Sequence, residues 1–197
     1  MKNIAFHSNQ LGIRGTDVAL YDYAHYNETI LKNKSFIISD KNNDLQALKK
    51  FEDRFDVFLY DNFEECFDFI FKNNISDIYY QKYGTNDGKI VPGINNLVHT
   101  VFQSKEIHGE KYHYISEWLA KSQNMDNSFV PYIVNIPEPT EDLRSKLNIP
   151  DDKIIIGRYG GLNQFDLPFS VYLFLDQNIL ILSFLLKQKL LLLNYLD

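Results

Sequence analysis

KNIAFHSNQLGIRGTDVALYDYAHY, residues 2–26, is the stretch of sequence that decides the fold. It predicts a short buried strand at 3–7, a loop that carries Gly12 and Gly15, and a helix with Thr16 as its N-cap. In an open parallel sheet, ligands bind where the carboxyl end of a strand meets the following helix. The crevice after this first strand is therefore the predicted functional site.

Short apolar runs recur along the chain and alternate with amphipathic segments of helical period. The runs lie at 35–40, 56–60, 77–80, 96–103, 112–115 and 129–134. The helical segments lie at 42–51, at 63–73 and from Ser116, which is a predicted N-cap. This alternation predicts an α/β fold with a Rossmann-like, doubly wound, mostly parallel sheet. The residues of the segment 63–73 expected to face the core are Phe63, Phe67, Ile70 and Phe71.

The composition is that of an ordinary globular protein. The 197 residues are 45% hydrophobic and 23% charged, enough for one full core and too few for two complete domains. A net charge of −6 argues against a broad basic face, so nucleic acid is not an expected partner. The single cysteine, Cys66, is expected to be a buried structural thiol. There is no metal-binding pattern, and the chain opens in a strand without a cleavable signal, so we expect a cytoplasmic, reducing location.

Two prolines near residue 137 mark a predicted change of domain. Residues 1–137 are expected to form the first Rossmann-like domain. Residues 138–169 are expected to contain a linker and the opening of a second, similar domain. In that opening we expect a short helix at 140–147, a strand at 153–157 and a loop at 158–164.

Residues 170–197 form a leucine-rich tail without glycine or proline. It has three interpretations: a buried terminal helix, a weak membrane anchor, or a tail produced by a slipped reading frame. Polar residues interrupt each apolar run before it reaches the roughly 20 residues that a membrane span needs. We favour the slipped frame because the tail lacks the patterning of the preceding sequence, so membrane association is open but not expected.

The loop at 12–16 is a candidate anion site. Glycine lets the backbone approach a ligand closely, and the free amides at a helix start favour negative charge, so Gly12, Gly15 and Thr16 are candidate phosphate contacts. A tight turn without a ligand explains the same residues equally well. The spacing does not fit the G-x-G-x-x-G dinucleotide fingerprint, which disfavours a nicotinamide-dependent reductase.

Four other side chains are candidates because each lies at or just beyond the end of a predicted strand. Arg158 could pair with a diphosphate or with a surface carboxylate. His7 and His99 could both point at the crevice, or each could be a satisfied, buried histidine. Glu117 could orient a sugar hydroxyl or simply lie at the positive end of its own helix.

Four stretches together resemble the group 1 glycosyltransferases of the GT-B fold. They are IAFHSNQLGIRGTDVALYDYA, YHYISEWLA, LRSKLNIPDDKIIIGR and GRYGGLNQFD, and with the intervening sequence they cover about residues 2–169. The first is similar to that family's first strand, glycine loop and helix, and the second to a segment late in its N-terminal domain. The third and fourth resemble the opening of its C-terminal domain and are the more specific.

The resemblance implies transfer of a sugar from a nucleotide-sugar to a hydroxyl of a glycan or other acceptor, usually with retention, and without an essential metal or other cofactor. Residues 1–137 would be the acceptor-side domain and the second domain would bind the donor. The implied roles are donor-phosphate contact for Gly12, Gly15, Thr16 and Arg158, acceptor contact for His7 and Glu117, and the catalytic histidine, loosely mapped, for His99.

Two departures from the family pattern affect the expected activity. The lysine that normally follows the arginine by five or six residues is replaced by Asn163 and Gln164. The chain also ends before the paired glutamates that hold the donor in this family. The expectation is a truncated donor domain with impaired transfer, and the alternative is a non-catalytic sugar- or protein-binding module that kept the fold.

Overall fold

The computed structural model describes residues 1–133, 138 and 142–151, together with the backbone of three later strands. The chain divides into two compact units, Met1–Ile136 and Pro137–Asp197. Each unit is described by itself.

The first unit is built on one six-stranded sheet. Its strands are β1 (Asn3–Ser8), β2 (Lys34–Asp40), β3 (Asp56–Tyr60), β4 (Ile75–Lys82), β5 (Asn95–Thr100) and β6 (Lys111–Tyr114). They lie in the order β3-β2-β1-β4-β5-β6, and every neighbouring pair is parallel. The predicted α/β class with a Rossmann-like parallel sheet is confirmed. The strand order reverses between β1 and β4, which is where such sheets open a crevice at their carboxyl edge.

Helices connect the first four strands, as the alternation predicts, whereas β4, β5 and β6 follow one another through loops and the fourth helix comes after β6. The helices are α1 (Gly15–Thr29), α2 (Leu45–Glu52), α3 (Glu65–Lys72) and α4 (Glu117–Ser122). The Ser116 hydroxyl accepts a hydrogen bond from the amide of Leu119 at 3.2 Å, which confirms the predicted cap of α4. The prediction that Thr16 caps α1 is wrong. The cap residue is Arg14, whose side chain makes no capping bond, and Thr16 lies inside the first turn.

The two faces of the sheet carry separate cores. One face packs Ala5, Ile38 and Tyr80 against α3 and α4, and the other packs Phe6 and Ile37 against α1 and α2. This division follows from strand geometry, because successive side chains point to opposite faces.

Helix α3 buries a narrow stripe that contains Cys66 and Ile70. The predicted buried thiol at Cys66 is confirmed, and burial raises its pKa to about 12. The prediction that Phe71 faces the core is wrong, since this residue is 54% exposed. One residue advances a helix by about 100°, which carries Phe71 out of the stripe defined by Ile70.

A seventh strand at 129–134 does not form within the described residues of that segment. Only an isolated parallel bridge joins Phe129 to Tyr114, supported by a hydrogen bond from the Val130 amide to the Tyr114 carbonyl at 2.8 Å. Pro131 follows at once and has no amide hydrogen, which stops the ladder from continuing.

In the second unit, the structure describes one short helix and three strands. They are α5 (Leu143–Lys146), β7 (Ile155–Gly160), β8 (Leu180–Leu185) and β9 (Gln188–Leu192). Strand β7 runs parallel to β8, and β8 runs antiparallel to β9, so part of the leucine-rich tail forms strands. The prediction that Arg158 opens a loop is wrong, because it lies within β7 and is in register with Ser183. No helix in the described part of the chain is long and apolar enough to cross a membrane.

Candidate functional site

Two polar clusters lie near the carboxyl edge of the sheet, on opposite faces. His7 is in register with Tyr80, whereas His99 is in register with Gln81, the next residue along β4. Because adjacent residues of a strand point to opposite faces, the prediction that both histidines point at one crevice is wrong. We call the group around His7, formed with Asn9, Tyr60, Lys82, Asp87 and Lys89, the His7 cluster. The His99 cluster consists of His99, Tyr23, Tyr79, Gln81, Val130 and Tyr132.

The ring of His7 is fully buried at the end of β1. It stacks on the ring of Tyr60, meets Phe63 edge-on, and its Nε2 lies 2.9 Å from the Tyr60 hydroxyl. Burial, assisted by the charges of Lys89 and Lys82, lowers its pKa to about 3. His7 is therefore neutral at pH 7, and its Nδ1 has no hydrogen-bond partner in the described part of the chain.

Tyr60 connects His7 to the charged rim of the cluster. The ammonium group of Lys89 donates to the Tyr60 hydroxyl at 3.1 Å and to Oδ1 of Asn9 at 2.6 Å. A lysine ammonium can only donate, so the phenol accepts from Lys89 and its own proton is free to be donated to Nε2 of His7. The resulting chain runs from the exposed Asn9 through Lys89 and Tyr60 to the buried imidazole.

Lys82 is a buried cation at the end of β4. Its side chain is 2% exposed and donates to Asp87 at 2.6 Å and to the carbonyl of Lys89 at 3.0 Å; Nε2 of His108 lies 3.4 Å away. Burial lowers the pKa of Lys82. Burial alone would raise the pKa of Asp87, but the hydrogen bond and charge of Lys82, together with hydrogen bonds from the Lys89 amide and Asn9, outweigh it and hold the pKa below its usual value. The pair is therefore ionised, as a buried charge requires a partner.

The His99 cluster is closed. Nε2 of His99 lies 2.8 Å from the carbonyl oxygen of Val130, and Nδ1 lies 2.5 Å from the hydroxyl of Tyr79. Only an N–H can meet a carbonyl, so the proton is on Nε2, and Nδ1 accepts from the phenol. Burial lowers the pKa of His99 to about 4. Both ring nitrogens of this predicted catalytic residue are thus bound by protein groups.

The glycine loop surrounds a carboxylate of the protein itself. Neither Gly12 nor Gly15 adopts a left-handed conformation, and a Cβ on Gly12 would lie 3.3 Å from Oδ2 of Asp17. Asp17 is buried and accepts a hydrogen bond from Ser8 at 3.2 Å. Burial raises its pKa, while the amides of Gly12 and Arg14 favour its charged form. Part of the loop's anion-binding capacity is therefore used internally.

The remaining predicted site residues lie apart from this edge or outside the described side chains. Glu117 is exposed and pairs with Lys121 at 2.6 Å on α4. Strand β6, which precedes it, is three strands from β1, or about 14 Å. The structure describes the backbone of Arg158 in β7, and its side chain lies outside the described part.

Sequence reasoning missed Asn9, Tyr60, Lys82 and Lys89 as site residues. A usable signal existed, because two lysines flank the turn Asp87–Gly88 in a loop that follows a central strand. The hydrogen bond from Lys89 to Tyr60 had no local sequence signal, since these residues are 29 positions apart.

A surface depression of about 530 Å³ lies beside α2 and is lined by Tyr21, Gln46, Lys49, Lys50, Asp53 and Arg54. It lies away from both histidine clusters. No group of three or more His, Cys, Asp or Glu side chains suited to a metal ion occurs among the described residues.

No family model matches the chain, and neither a curated protein nor a solved structure matches it. The functional proposal is therefore based on the geometry of the crevice and on the order of the sequence motifs.

Proposed function

We propose that this protein is a glycosyltransferase-like protein of the GT-B type, which transfers a sugar from a nucleotide-sugar to an acceptor hydroxyl. The observation that carries the proposal is the polar His7 cluster at the point where the order of a six-stranded parallel sheet reverses. Open α/β sheets bind their ligands at this point. Residues 1–137 are the acceptor-side domain in this proposal.

The resemblance assigns a donor-phosphate contact in each unit, taken by itself: the start of α1 in the first unit and Arg158 in the second. The amides of Asp17 and Val18 both donate to the Arg14 carbonyl, at 3.0 and 3.2 Å, so the amides of Gly15 and Thr16 lie ahead of these bonds and suit an anion. At Gly12 the backbone is assigned to approach the donor closely, although the Gly12 amide also donates a hydrogen bond to Asp17. The guanidinium of Arg158 would offset the charge that builds on the leaving diphosphate.

The acceptor is assigned to the rim of the His7 cluster. Asn9 and Asp87 are exposed there and provide both a donor and an acceptor for a hydroxyl group. Buried His7 acts through Tyr60, whose hydroxyl it holds in place. Glu117 is a second, separate acceptor contact in this proposal, at the edge strand.

A non-catalytic sugar- or protein-binding module is the second candidate. One observation favours it: the predicted catalytic His99 has both ring nitrogens bound within the protein. A histidine in that state has no free nitrogen with which to exchange a proton with a substrate.

A turnover assay on the full chain separates the two candidates. The chain is incubated with a panel of nucleotide-sugars and of glycan acceptors, while released nucleoside diphosphate and product mass are measured. The transferase proposal expects acceptor-dependent release, reduced about ten-fold or more in Arg158→Met, because one charged phosphate contact is lost.

The matched control is Lys105→Met, which removes the same charge from an exposed residue for which no contact is recorded in the described part of the chain. Saturable glycan binding without turnover would support the module instead. If no nucleotide-sugar and no glycan binds, the transferase and the sugar-binding module both fail, and only the protein-binding form of the module is left.

A further inference from the structure

Within the described part of the chain, the ammonium group of Lys89 is a cation without a counter-ion. It is half-buried and donates to two neutral oxygens, those of Asn9 and Tyr60. No carboxylate forms an ion pair with it among the described residues, although most lysines in such surroundings are paired. Two of its three N–H groups are used, and the third has no partner in the same part of the chain.

The carboxylate of the His7 cluster is already paired with another lysine. Asp87 receives Lys82 at 2.6 Å on Oδ1, and the amide of Asn9 at 3.4 Å on Oδ2. The His7 cluster therefore holds two ammonium groups against one carboxylate, and its imidazole is neutral. The excess positive charge acts on the buried imidazole, because the charges of Lys89 and Lys82 add to the effect of burial in lowering the pKa of His7.

The position of Lys89 is fixed rather than incidental. Its Nζ is held between Asn9 from the loop after β1 and Tyr60 from the end of β3, and it lies 5.3 Å from the centre of the Tyr60 ring. Tyr60 itself is 1% exposed and packed against His7. A long lysine side chain loses rotamer freedom when it is held in this way, and a charged ligand gains from that preorganisation.

We propose that Lys89 and Asn9 form a binding site for a small oxyanion, a carboxylate or a phosphate group, at the reversal point of the sheet. The free N–H of Lys89 and the side-chain amide of Asn9 are its donors, and Tyr60 and His7 hold the lysine in position. This site is distinct from the glycine loop, whose amides partly serve Asp17. The site also specifies the proposed function, and this part of the proposal rests on that function: the acceptor carries an anionic group beside its hydroxyl.

Titration of the full ¹⁵N-labelled chain at constant ionic strength tests the site, with amide chemical shifts as the readout. The probes are inorganic phosphate, glucuronate and its neutral match glucose. We expect saturable shifts centred on Asn9 and Lys89 with at least one of the two anions, and a dissociation constant raised about ten-fold or more in Lys89→Met. Saturation by phosphate alone identifies a phosphate ligand, and saturation by glucuronate but not glucose identifies a carboxylate ligand.

Two further variants keep the test decisive. Lys105→Met removes an equal charge and should bind as the unmodified chain does, whereas Lys89→Arg keeps the charge and should retain binding. If Lys89→Met does not fold, Asn9→Ala on the exposed loop takes its place. Absence of saturable binding, or equal losses in Lys89→Met and Lys105→Met, overturns the site.

The titration does not use a sugar donor, so it fails or succeeds independently of the transferase assay. Anion binding without turnover leaves the site standing and removes the transferase proposal. Turnover on a neutral acceptor that is unaffected by Lys89→Met leaves the transferase proposal standing and removes the anionic acceptor.

Discussion

His7 lies near the carboxyl end of β1 and His99 near that of β5, with β4 between these two strands. Both histidines are almost fully buried, yet their surroundings differ in kind. The segment after α4 covers His99, and its Val130 carbonyl takes the Nε2 proton. The loop after β4 reaches the His7 cluster through two charged side chains, Lys89 on the Tyr60 hydroxyl and Asp87 on Lys82, rather than through a backbone carbonyl on the ring. His99 is therefore bound by a backbone carbonyl, whereas His7 is connected through Tyr60 to charged groups at the surface.

This difference shows how a buried histidine can be distinguished as structural or as part of a site. His99 satisfies both nitrogens and ties three segments together, which is the behaviour of a core hydrogen-bonding residue. His7 leaves Nδ1 without a partner in the described chain and shares its other nitrogen with a tyrosine that holds a lysine. An unsatisfied buried group costs stability, and such costs concentrate at functional sites.

Acidification should produce the largest effect. The folded-state pKa values are about 3 for His7 and about 4 for His99, below the ordinary value of 6.5. Between each of these values and pH 6.5, the unfolded chain therefore binds more protons than the folded chain. The stabilisation from both residues is complete above pH 6.5 and is lost as the pH falls toward 4 and then 3. We expect the free energy of unfolding to drop by about 3–6 kcal/mol between pH 7 and pH 4.

Urea denaturation followed by circular dichroism at a series of pH values measures this loss. A free energy of unfolding that stays flat from pH 6.5 to pH 4.5 would contradict neutral, buried histidines. His7→Leu and His99→Leu should each remove part of the slope, which assigns the effect to the two residues.

His99→Leu should be the next largest change at pH 7. It leaves the part-buried Val130 carbonyl and Tyr79 hydroxyl without their partner. Each orphaned group costs about 1–3 kcal/mol, so we expect a loss of about 3 kcal/mol in the free energy of unfolding. A loss below about 1 kcal/mol would mean that water or repacking replaces both bonds.

His7→Leu should be much milder at pH 7. It removes the acceptor of the Tyr60 hydroxyl proton, but the Tyr60 oxygen keeps its hydrogen bond from Lys89 and an unsatisfied nitrogen leaves the core, which offsets the loss. We expect a change within about 1 kcal/mol of the unmodified chain. If this variant is as destabilised as His99→Leu, the contrast between the two clusters is wrong.

Glu117→Ala should have the smallest effect. The carboxylate forms a solvent-exposed pair with Lys121, four residues further along α4. Such pairs contribute about 0.3–0.5 kcal/mol, so the free energy of unfolding should change by less than about 0.5 kcal/mol. A larger loss, measured by the same denaturation, would show that Glu117 does more than pair with its neighbour on the helix.

Much of the first unit could be predicted from the sequence. The run at 56–60 is observed as a strand with the same bounds, and Ser116 caps its helix as expected. The errors fall where distant parts of the chain meet or where one residue decides a boundary. The strand at 129–134 fails at Pro131, and the start of α1 falls at Gly15, one residue before the predicted cap.

The amino-acid sequence by itself determined the α/β alternation, the parallel class of the sheet and the helix start at Ser116. These features depend on side-chain period and on bonds that span a few residues, which are visible in a linear chain. Only the tertiary structure decided which face each histidine occupies and which groups surround it. A shift of one residue in register exchanges the two faces of a strand, and Tyr60 and Val130 reach their histidines across 53 and 31 positions of the chain.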